Sequence, residues 1–368
     1  MTTLRDALSS KQVVVVTGAG GVGKTSVSAA LALDAARDRK AMVVTIDPAR
    51  RLASALGLDG SLGHAESEVA LPGDAHGSLN AAMLDMKTAW DELVDRHAPD
   101  AQTAAHIKSN VLYQGLSEHF VGSQGYMAME RLADLYDRGA YDVIVVDTPP
   151  TRSALDFLEA PKRMTDFVGG SLLRWAAKPY TAAGKLGARA FNFTASPFLK
   201  VADRLLGSKV LEDLSSFVLD FQTLYDGFKR RAEQVLRLLG SDKTGFVVVT
   251  TLEGPPLREA GYFVDRLIDE DLPLAGVVAN KVVPLELADA YPSLADALDP
   301  AAAAYARHAI EILGPMARRD KHRLDELHRR ARVPVQDVPL FTRDVHDLDG
   351  LRLLAGYVVG EPVPDARA

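Results

Sequence analysis

Short, nearly continuous apolar runs recur along the chain, and they are rich in β-branched residues. They span residues 13–17, 42–46, 143–146, 246–250 and 275–279. Runs of this length and continuity are typical of strands that are buried on both faces of a parallel sheet. Helical patterns lie between them, for example over residues 25–37 and 257–269. Because strands that alternate with helices form a parallel sheet with helices on its faces, the pattern predicts an α/β fold with a doubly wound parallel sheet.

Two intervals interrupt this alternation. Residues 161–240 contain no convincing strand, and their last part has apolar residues at steps of three and four, which indicate one stripe of a helix. The stripe consists of Val210, Leu214, Phe217, Phe221, Leu224 and Phe228. We therefore predict a single domain over residues 10–360 with helical insertions at about 88–137 and 161–240. Residues 361–368 are polar and contain proline, so we expect a disordered tail there.

Composition and charge exclude several classes of protein. The net charge is −7, whereas a nucleic-acid-binding protein needs a basic surface to neutralise phosphates. The chain has no cysteine, which excludes disulfides and thiolate metal sites. It contains no apolar run long enough to span a bilayer and no signal-peptide pattern at its start. We therefore expect a cytoplasmic protein with no transmembrane segment and no nucleic-acid partner.

The clearest motif is a glycine-rich loop between the first predicted strand and the helix that follows it. Gly18-x4-Gly23-Lys24-Thr25 has the spacing and the context of a P-loop. Such a loop points backbone N–H groups at the phosphates, and the helix N-terminus adds partial positive charge. Lys24 then contacts the β- and γ-phosphates, and the Thr25 hydroxyl binds Mg²⁺. The predicted nucleotide-binding residues in the loop are Gly20, Gly21, Val22, Gly23, Lys24, Thr25 and Ser26.

Two aspartates end predicted strands. The carboxyl ends of strands line the ligand crevice in a doubly wound sheet, so we expect both side chains to face the phosphates. Asp147 follows an apolar strand as a Walker-B residue does, and is predicted to hold Mg²⁺ directly or through water. Asp47 is a candidate for the catalytic group that orients the attacking water and for a metal ligand. The alternative for Asp47 is an ordinary turn residue before Pro48.

The end of the last predicted strand offers a candidate base pocket. Asn280-Lys281-Val282-Val283 invites comparison with the Asn-Lys-x-Asp motif that reads guanine. The fourth position is valine here and supplies no carboxylate, which argues against a guanine reader. An asparagine side chain both donates and accepts hydrogen bonds, so Asn280 is able to pair with adenine. The alternative is that Asn280 simply ends its strand.

Taken together, these segments resemble the ArsA family, the arsenite-pump and tail-anchored-protein-targeting ATPases. The family has a Gly-Lys-Gly-Gly-Val-Gly-Lys-Thr loop, an Asp-Pro-Ala-His switch I and an Asp-Thr-Ala-Pro-Thr-Gly-His switch II. The corresponding segments here are Gly18-Ala19-Gly20-Gly21-Val22-Gly23-Lys24-Thr25, Asp47-Pro48-Ala49-Arg50 and Asp147-Thr148-Pro149-Pro150-Thr151-Arg152-Ser153. The resemblance implies Mg²⁺ and ATP as ligands, with adenine contacted by Asn280, Pro339, Leu340 and Phe341. It also implies a dimer with nucleotide at or near the subunit interface.

The departures from the family pattern change the prediction. In the family, the second residue of the loop is a lysine that reaches the partner subunit's nucleotide, and here it is Ala19. Either a heterodimer with a related chain supplies the lysine, or a local cation, Arg50, Arg51 or Arg152, replaces it in a homodimer. The missing cysteines exclude the family's arsenite-binding thiolates and its Cys-x-x-Cys zinc site.

The leading hypothesis is a dimeric Mg-ATP-dependent ATPase switch that hydrolyses ATP to change the conformation of a hydrophobic protein or membrane-protein client. The helical stretch over residues 167–228 is the candidate client surface, and the alternative is that its apolar residues form an internal core. A second hypothesis is a weakly hydrolysing ATP-binding subunit that activates a lysine-bearing sister ATPase. A positioning ATPase of the cell-division or plasmid-partition type is disfavoured, because the tail is too short for a membrane-binding helix.

Overall fold

The described part of the chain covers most of the predicted α/β region. The structure is a computed structural model that describes residues 3–46, 51–58, 62–71, 75–119, 124–148, 223–286 and 298–361, together with Phe217 and Asp220. Most of the predicted insertion over 161–240 lies outside the described residues, as does the predicted tail beyond Glu361.

One eight-stranded sheet forms the centre of the described structure. Its strands are β1 (Val13–Gly18), β2 (Lys40–Thr45), β3 (Ser67–Val69), β4 (Ser78–Met83), β5 (Val143–Asp147), β6 (Thr244–Thr250), β7 (Leu274–Val282) and β8 (Val335–Pro339). They lie in the order β3-β4-β2-β5-β1-β6-β7-β8, and every neighbouring pair is parallel except the antiparallel pair β3–β4. The predicted α/β class with a largely parallel sheet is confirmed, with β3 as the exception to the parallel arrangement.

The apolar runs predicted the strands that are wholly or mostly buried and missed those that are more exposed. The strands β1, β5 and β6 are buried over their whole length, as continuous apolar strands between two helical layers must be. The pattern missed β3, β4 and β8, which lie at or near the sheet edges and mix buried with partly exposed positions. Strand β7 continues to Val282, past the predicted end at residue 279, and so includes Asn280 and Lys281.

Helices connect the strands. They are α1 (Leu4–Leu8), α2 (Lys24–Ala35), α3 (Arg51–Ala55), α4 (Met86–His97), α5 (Ala101–Ser109), α6 (Val111–His119), α7 (Gln124–Arg138), α8 (Tyr225–Leu239), α9 (Gly254–Asp269), α10 (Pro300–Arg330) and α11 (Leu348–Val359). The predicted helices over 25–37 and 257–269 correspond to α2 and α9. The predicted insertion over 88–137 consists of α4 to α7.

The chain divides into two compact units. Unit 1 comprises Met1–Leu84, Asp134–Asp156 and Leu238–Ala368, and unit 2 comprises Asp85–Ala133 and Phe157–Arg237. Unit 1 contains the sheet, and its core includes residues of β1, β2, α2 and α11. The predicted single domain over 10–360 remains a prediction.

Unit 2 has an aromatic core of its own. Trp90 meets Tyr113 edge to face at 6.4 Å, and Tyr126 meets Phe228 at 6.1 Å. All four side chains are almost completely buried. Aromatic pairs in this geometry add to the stabilisation that comes from burial alone. These contacts involve α4, α6, α7 and α8.

The strand order decides where a ligand can bind. Parallel strands end at one edge of the sheet, and the crevice outside their carboxyl ends is the usual ligand site of such folds. The neighbours β5 and β1 end at Asp147 and Gly18. On the other side of β6, β7 and β8 end at Val282 and Pro339. Segments far apart in sequence therefore meet at this edge.

Candidate nucleotide site

The glycine-rich loop turns from β1 into α2 through three glycines with positive φ, Gly18, Gly21 and Gly23, and two of them also have close neighbours. Gly18 has φ +152° and Gly23 has φ +96°. A Cβ at Gly18 would lie 2.0 Å from the Val249 carbonyl oxygen, and one at Gly23 would lie 2.2 Å from Asn280 Nδ2. Both distances are far below van der Waals contact. The loop thus requires glycine here for its backbone conformation and for its close neighbours.

The loop leads directly into the start of α2. Gly23 is the N-cap residue, and no side chain caps the helix there. The first backbone N–H groups of a helix have no partner within the helix. A helix start of this kind, after a glycine-rich loop, suits a phosphate group.

Lys24 lies inside the loop. Its ammonium donates to the carbonyl oxygens of Gly18 and Ala19, each at 2.9 Å. The residue is only 7% exposed, so the loop backbone fixes the position of this charge. An ammonium held at the floor of an anion-binding loop stabilises negative charge without first having to reorganise.

Asp147 is the centre of a buried hydrogen-bond network. Its Oδ2 accepts from Thr25 Oγ1 at 2.7 Å and from Thr45 Oγ1 at 2.8 Å, and its Oδ1 accepts from Ser28 Oγ at 3.4 Å. The residue is 1% exposed. The register brings Asp147 beside Thr45, because β2 and β5 are neighbours.

This arrangement fits Mg²⁺ at the Thr25 hydroxyl. Because Thr25 donates its proton to Asp147, its oxygen lone pairs remain available to a cation. Mg²⁺ accepts oxygen ligands and usually keeps several of its waters, which suits a site with few protein ligands. Among the described residues no group of three or more histidines, aspartates or glutamates forms a metal site. At the Thr25 oxygen, Mg²⁺ would take most of its other ligands from water and from a phosphate.

Asn280 and Lys281 connect the end of β7 to the glycine-rich loop. Asn280 Nδ2 donates to the Val22 carbonyl at 2.7 Å, and Lys281 Nζ donates to the Gly21 carbonyl at 3.2 Å. Asn280 Oδ1 accepts from the Lys281 backbone N–H at 2.9 Å. The amide of Asn280 thus retains one N–H and one lone pair that can meet a base.

The segment after β8 forms another wall. Leu340 N–H donates to the Val282 carbonyl at 2.8 Å, and the Phe341 ring lies 5.8 Å from the ring of Tyr357 on α11. Leu340 itself is 47% exposed. An exposed leucine and an anchored aromatic ring provide apolar surface of the kind that a base contacts.

These groups surround one cavity of about 810 Å³, which lies in the size range of small-molecule sites. Among the described residues its lining has four cationic side chains, Lys24, Arg51, Lys281 and Arg343, and one carboxylate, Asp344. This excess of positive charge suits a polyanion. The described residues that line the cavity are Gly20, Gly21, Gly23, Lys24, Thr25, Ser26, Arg51, Ser54, Ala55, Thr148, Asn280, Lys281, Pro339, Leu340, Phe341, Arg343, Asp344, Val345 and Leu354.

The cavity brings together most of the residues that the sequence predicted. Val22 is buried behind the loop and does not line the cavity, and neither does Asp147, which contacts Thr25 instead. Asp47 and Arg50 lie outside the described residues, and so does switch II from Pro149 onward, including Arg152. Their predicted roles remain predictions.

Sequence reasoning missed several residues of the site. Thr45 and Ser28 support Asp147, while Ser54 and Arg343 line the cavity. Ser28 lies one helical turn after Thr25, and this spacing is the only signal that the sequence offered for it. Thr45 was hidden because its partner is on another strand.

Comparisons with known proteins point to one family of ATPases. The sequence profile of the ArsA family, described as "Anion-transporting ATPase", matches residues 11–296. "ATPase BagA" of Mycobacterium tuberculosis is 24% identical over 288 residues, which cover 76% of this chain and 68% of that protein. The "Putative arsenical pump-driving ATPase 1" of Aquifex aeolicus is 23% identical over 370 residues, covering 96% and 80%. "ATPase GET3" of Malassezia globosa is 24% identical over 287 residues, covering 76% of each chain.

None of the described helices is long and apolar enough to cross a lipid bilayer.

The profile match covers well over half of the chain and includes the loop, β5 and the end of β7. The chain belongs to the ArsA family of ATPases.

Proposed function

We propose that this protein is a Mg-ATP-dependent ATPase switch whose nucleotide cycle changes the conformation of a protein or membrane-protein client. The main support is the position of Lys24 and Thr25 at one end of a large, positively charged cavity, with the buried Asp147 hydrogen-bonded to Thr25. Fixed ammonium and hydroxyl groups beside a helix N-terminus are what phosphoryl transfer to water requires. The apolar wall and Asn280 suit adenine at the other end.

The chemistry follows from the roles of the side chains. Lys24 stabilises charge on the β- and γ-phosphate oxygens, and Asp47 orients the water that attacks the γ-phosphorus in line. Asp147 accepts a hydrogen bond from the Thr25 hydroxyl, which would leave the Thr25 oxygen available to Mg²⁺. Bound Mg²⁺ supplies further charge stabilisation for the phosphate oxygens.

Steady-state ATPase activity and ATP affinity test this proposal together. Asp47→Asn should bind Mg-ATP within about threefold of wild type and lose at least about a hundredfold in kcat, because the amide keeps an oxygen for Mg²⁺ but lacks the negative charge that orients the attacking water. Lys24→Ala should lose binding and turnover together. A wild-type chain without measurable ATP binding, or an Asp47→Asn variant with wild-type turnover, contradicts the proposed mechanism.

The assembly state is part of the proposal. Relatives are named "ATPase GET3" and "arsenical pump-driving ATPase", and family resemblance favours a dimer that closes around nucleotide.

The candidate client surface over 167–228 lies almost entirely outside the described residues. Without cysteine, the chain has no thiolate to bind arsenite, so a protein client is preferred to an arsenite ion.

A second candidate is a weakly hydrolysing ATP-binding subunit that activates a related ATPase. The observation that favours it is Ala19, which stands where the family has its cross-subunit lysine. Arg51 is one of the three arginines that the sequence offers as a local cation, and it lines the cavity. Its position supports it as a replacement for the lysine. If Arg51 replaces the lysine, the chain is a self-sufficient homodimer.

A further inference from the structure

Asp320, on the long helix α10, is a buried carboxylate outside the nucleotide cavity. The residue is 2% exposed, and it is absent from the cavity lining. Buried carboxylates are costly unless they are paired and hydrogen-bonded. Arg319 supplies the pairing, since its Nε and Nη2 donate to Asp320 Oδ1 at 3.0 and 2.7 Å.

The second oxygen of Asp320 accepts a hydrogen bond from the backbone immediately after β7. Val283 N–H donates to Asp320 Oδ2 at 3.2 Å. Val283 is 3% exposed, so without Asp320 its N–H would have to find another partner in the interior. The carboxylate thus fastens the end of a strand that carries two residues of the nucleotide site.

That strand end has an unusual backbone. The pairing of β7 with β8 shifts register between Ala279 and Val282, and Lys281 has φ +60°. A lysine in the left-handed region is strained and persists only where its surroundings hold it. Two hydrogen bonds hold the backbone that follows it, one from Leu340 N–H to the Val282 carbonyl and one from Val283 N–H to Asp320.

The strained segment connects this strand end to the phosphate loop. It is the segment from which Asn280 and Lys281 reach the Val22 and Gly21 carbonyls. A shift of the strand end would therefore move both contacts with the loop. The neighbouring turn of α10 reinforces the link, because Arg323 donates to the carbonyl of Leu252, just beyond β6.

From this chain of contacts we infer that Asp320 is a positioning residue for the nucleotide site. It holds the end of β7 so that Asn280 and Lys281 hold the phosphate loop in its binding conformation. The inference rests on the proposed ATP-binding function. It assigns to α10 a role in nucleotide affinity even though no residue of this helix lines the cavity.

ATP titrations of Asp320→Ala and Asp320→Asn, with melting temperature, KM and kcat recorded alongside, test this role. Asp320→Ala should bind ATP about tenfold more weakly and raise KM more than it lowers kcat. Asp320→Asn keeps an oxygen acceptor for Val283 N–H and should recover most of the affinity. The matched control is Asp325→Ala on the same helix, which removes an exposed ion pair with Lys321 and should bind ATP as wild type does.

A double-mutant cycle identifies the route of the effect. If Asp320 acts through Asn280, Asp320→Ala and Asn280→Ala together should weaken ATP binding by less than the product of their separate effects. Independent, multiplicative effects would overturn the inference, as would a folded Asp320→Ala variant with wild-type affinity. If wild type itself fails to bind ATP, the proposed function fails and the inference fails with it. If wild type binds ATP and Asp320→Ala binds it equally well, the inference fails and the proposed function stands.

Hydrogen exchange of the wild-type chain gives a test that requires no variant. Added Mg-ATP should slow exchange in segment 280–284 and in segment 316–324 together, because the first segment contacts the phosphate loop and Asp320 fastens the second segment to the first. Segment 301–312 of α10 contains no buried residue and should be unchanged. Protection of 280–284 without protection of 316–324 would contradict the coupling, even if Asp320→Ala does not fold.

Discussion

At the scale of single residues, the close approach of Asn280 to Gly23 connects the two ends of the cavity. The side-chain amide of Asn280 donates to the loop at Val22 and occupies the space that a Cβ at Gly23 would need. The glycine is thus required by a residue that lies far along the sequence as well as by its own φ angle. A phosphate loop viewed in isolation gives only the second reason.

A matched pair of glycine substitutions separates these two reasons. Gly23 and Gly57 both have positive φ, but a Cβ at Gly57 meets no atom within 4 Å. Gly57→Ala should therefore cost only about 1 kcal/mol of unfolding free energy, from backbone strain. Gly23, at φ +96° against +67° for Gly57, is strained at least as much by an alanine, which also displaces Asn280, so the ATP affinity of Gly23→Ala should fall by at least about tenfold. Isothermal titration with ATP and chemical unfolding measure both quantities, and equal ATP affinities for the two variants would rule out the steric explanation.

At the scale of elements, unit 2 contains a buried ionic cluster that joins three of its helical segments. Glu130 Oε1 accepts from Arg96 Nη1 at 2.6 Å and from Arg231 Nε at 3.2 Å. His97 Nε2 lies 3.9 Å from the same oxygen. Burial by itself would raise the pKa of the Glu130 carboxyl, but His97, Arg231 and Arg96 outweigh it and hold that pKa below its ordinary value of 4.5.

This cluster makes the stability of unit 2 depend on pH. A carboxyl whose pKa is lowered by folding contributes stability that is fully present above its unfolded pKa and is lost as the pH falls through its lower folded pKa. Glu130→Gln leaves two arginines without their buried anion and should cost about 3 kcal/mol at pH 7. The difference from wild type should stay constant above about pH 5.5 and shrink below pH 4.5.

Chemical unfolding at several pH values, followed by hydrogen exchange in unit 2, measures that difference. Asp95→Asn is the control in the same unit, since it removes an exposed ion pair with Lys108 and should cost less than about 1 kcal/mol. A Glu130→Gln effect that does not change between pH 7 and pH 3.5 would show that the carboxylate charge is not what stabilises the cluster.

At the scale of the whole molecule, the proposed ATPase function depends on which group replaces the family's cross-subunit lysine at Ala19. Ala19 is 6% exposed and packs in the core cluster of unit 1. Its side chain therefore makes apolar contacts within its own chain. A cation that stabilises the transferring phosphoryl group is worth several orders of magnitude in rate. Its source is either a second chain or an arginine of this one.

Measuring turnover and oligomeric state together for wild type, Ala19→Lys and Ala19→Met decides between these sources. We expect slow turnover by the wild-type chain alone and at least about tenfold faster turnover by Ala19→Lys, because the new ammonium supplies the missing charge. Ala19→Met adds similar length without charge and should remain slow, which controls for disturbed packing. A stable wild-type homodimer with brisk activity, unchanged in Ala19→Lys, would contradict the sister-chain hypothesis and indicate a local cation such as Arg51.

Much of the fold and of the phosphate end of the site could be predicted from local patterns. Buried parallel strands have continuous apolar runs, and a phosphate loop needs its glycines, lysine and threonine at a fixed spacing in one segment. The edge strands β3 and β8 could not be found in this way, because half-exposed strands mix polar and apolar residues.

The sequence by itself determined the α/β class, the phosphate loop and the absence of thiolate chemistry, because each depends on neighbouring residues or on composition alone. Only the tertiary structure decided which distant side chains meet. Thr45 supports Asp147 because β2 lies beside β5, and Asn280 reaches the loop because β7 leaves its regular ladder at Lys281. Asp320 holds that strand end from a helix about forty residues further along the chain. Such contacts depend on strand order and register, which the local hydrophobic pattern does not encode.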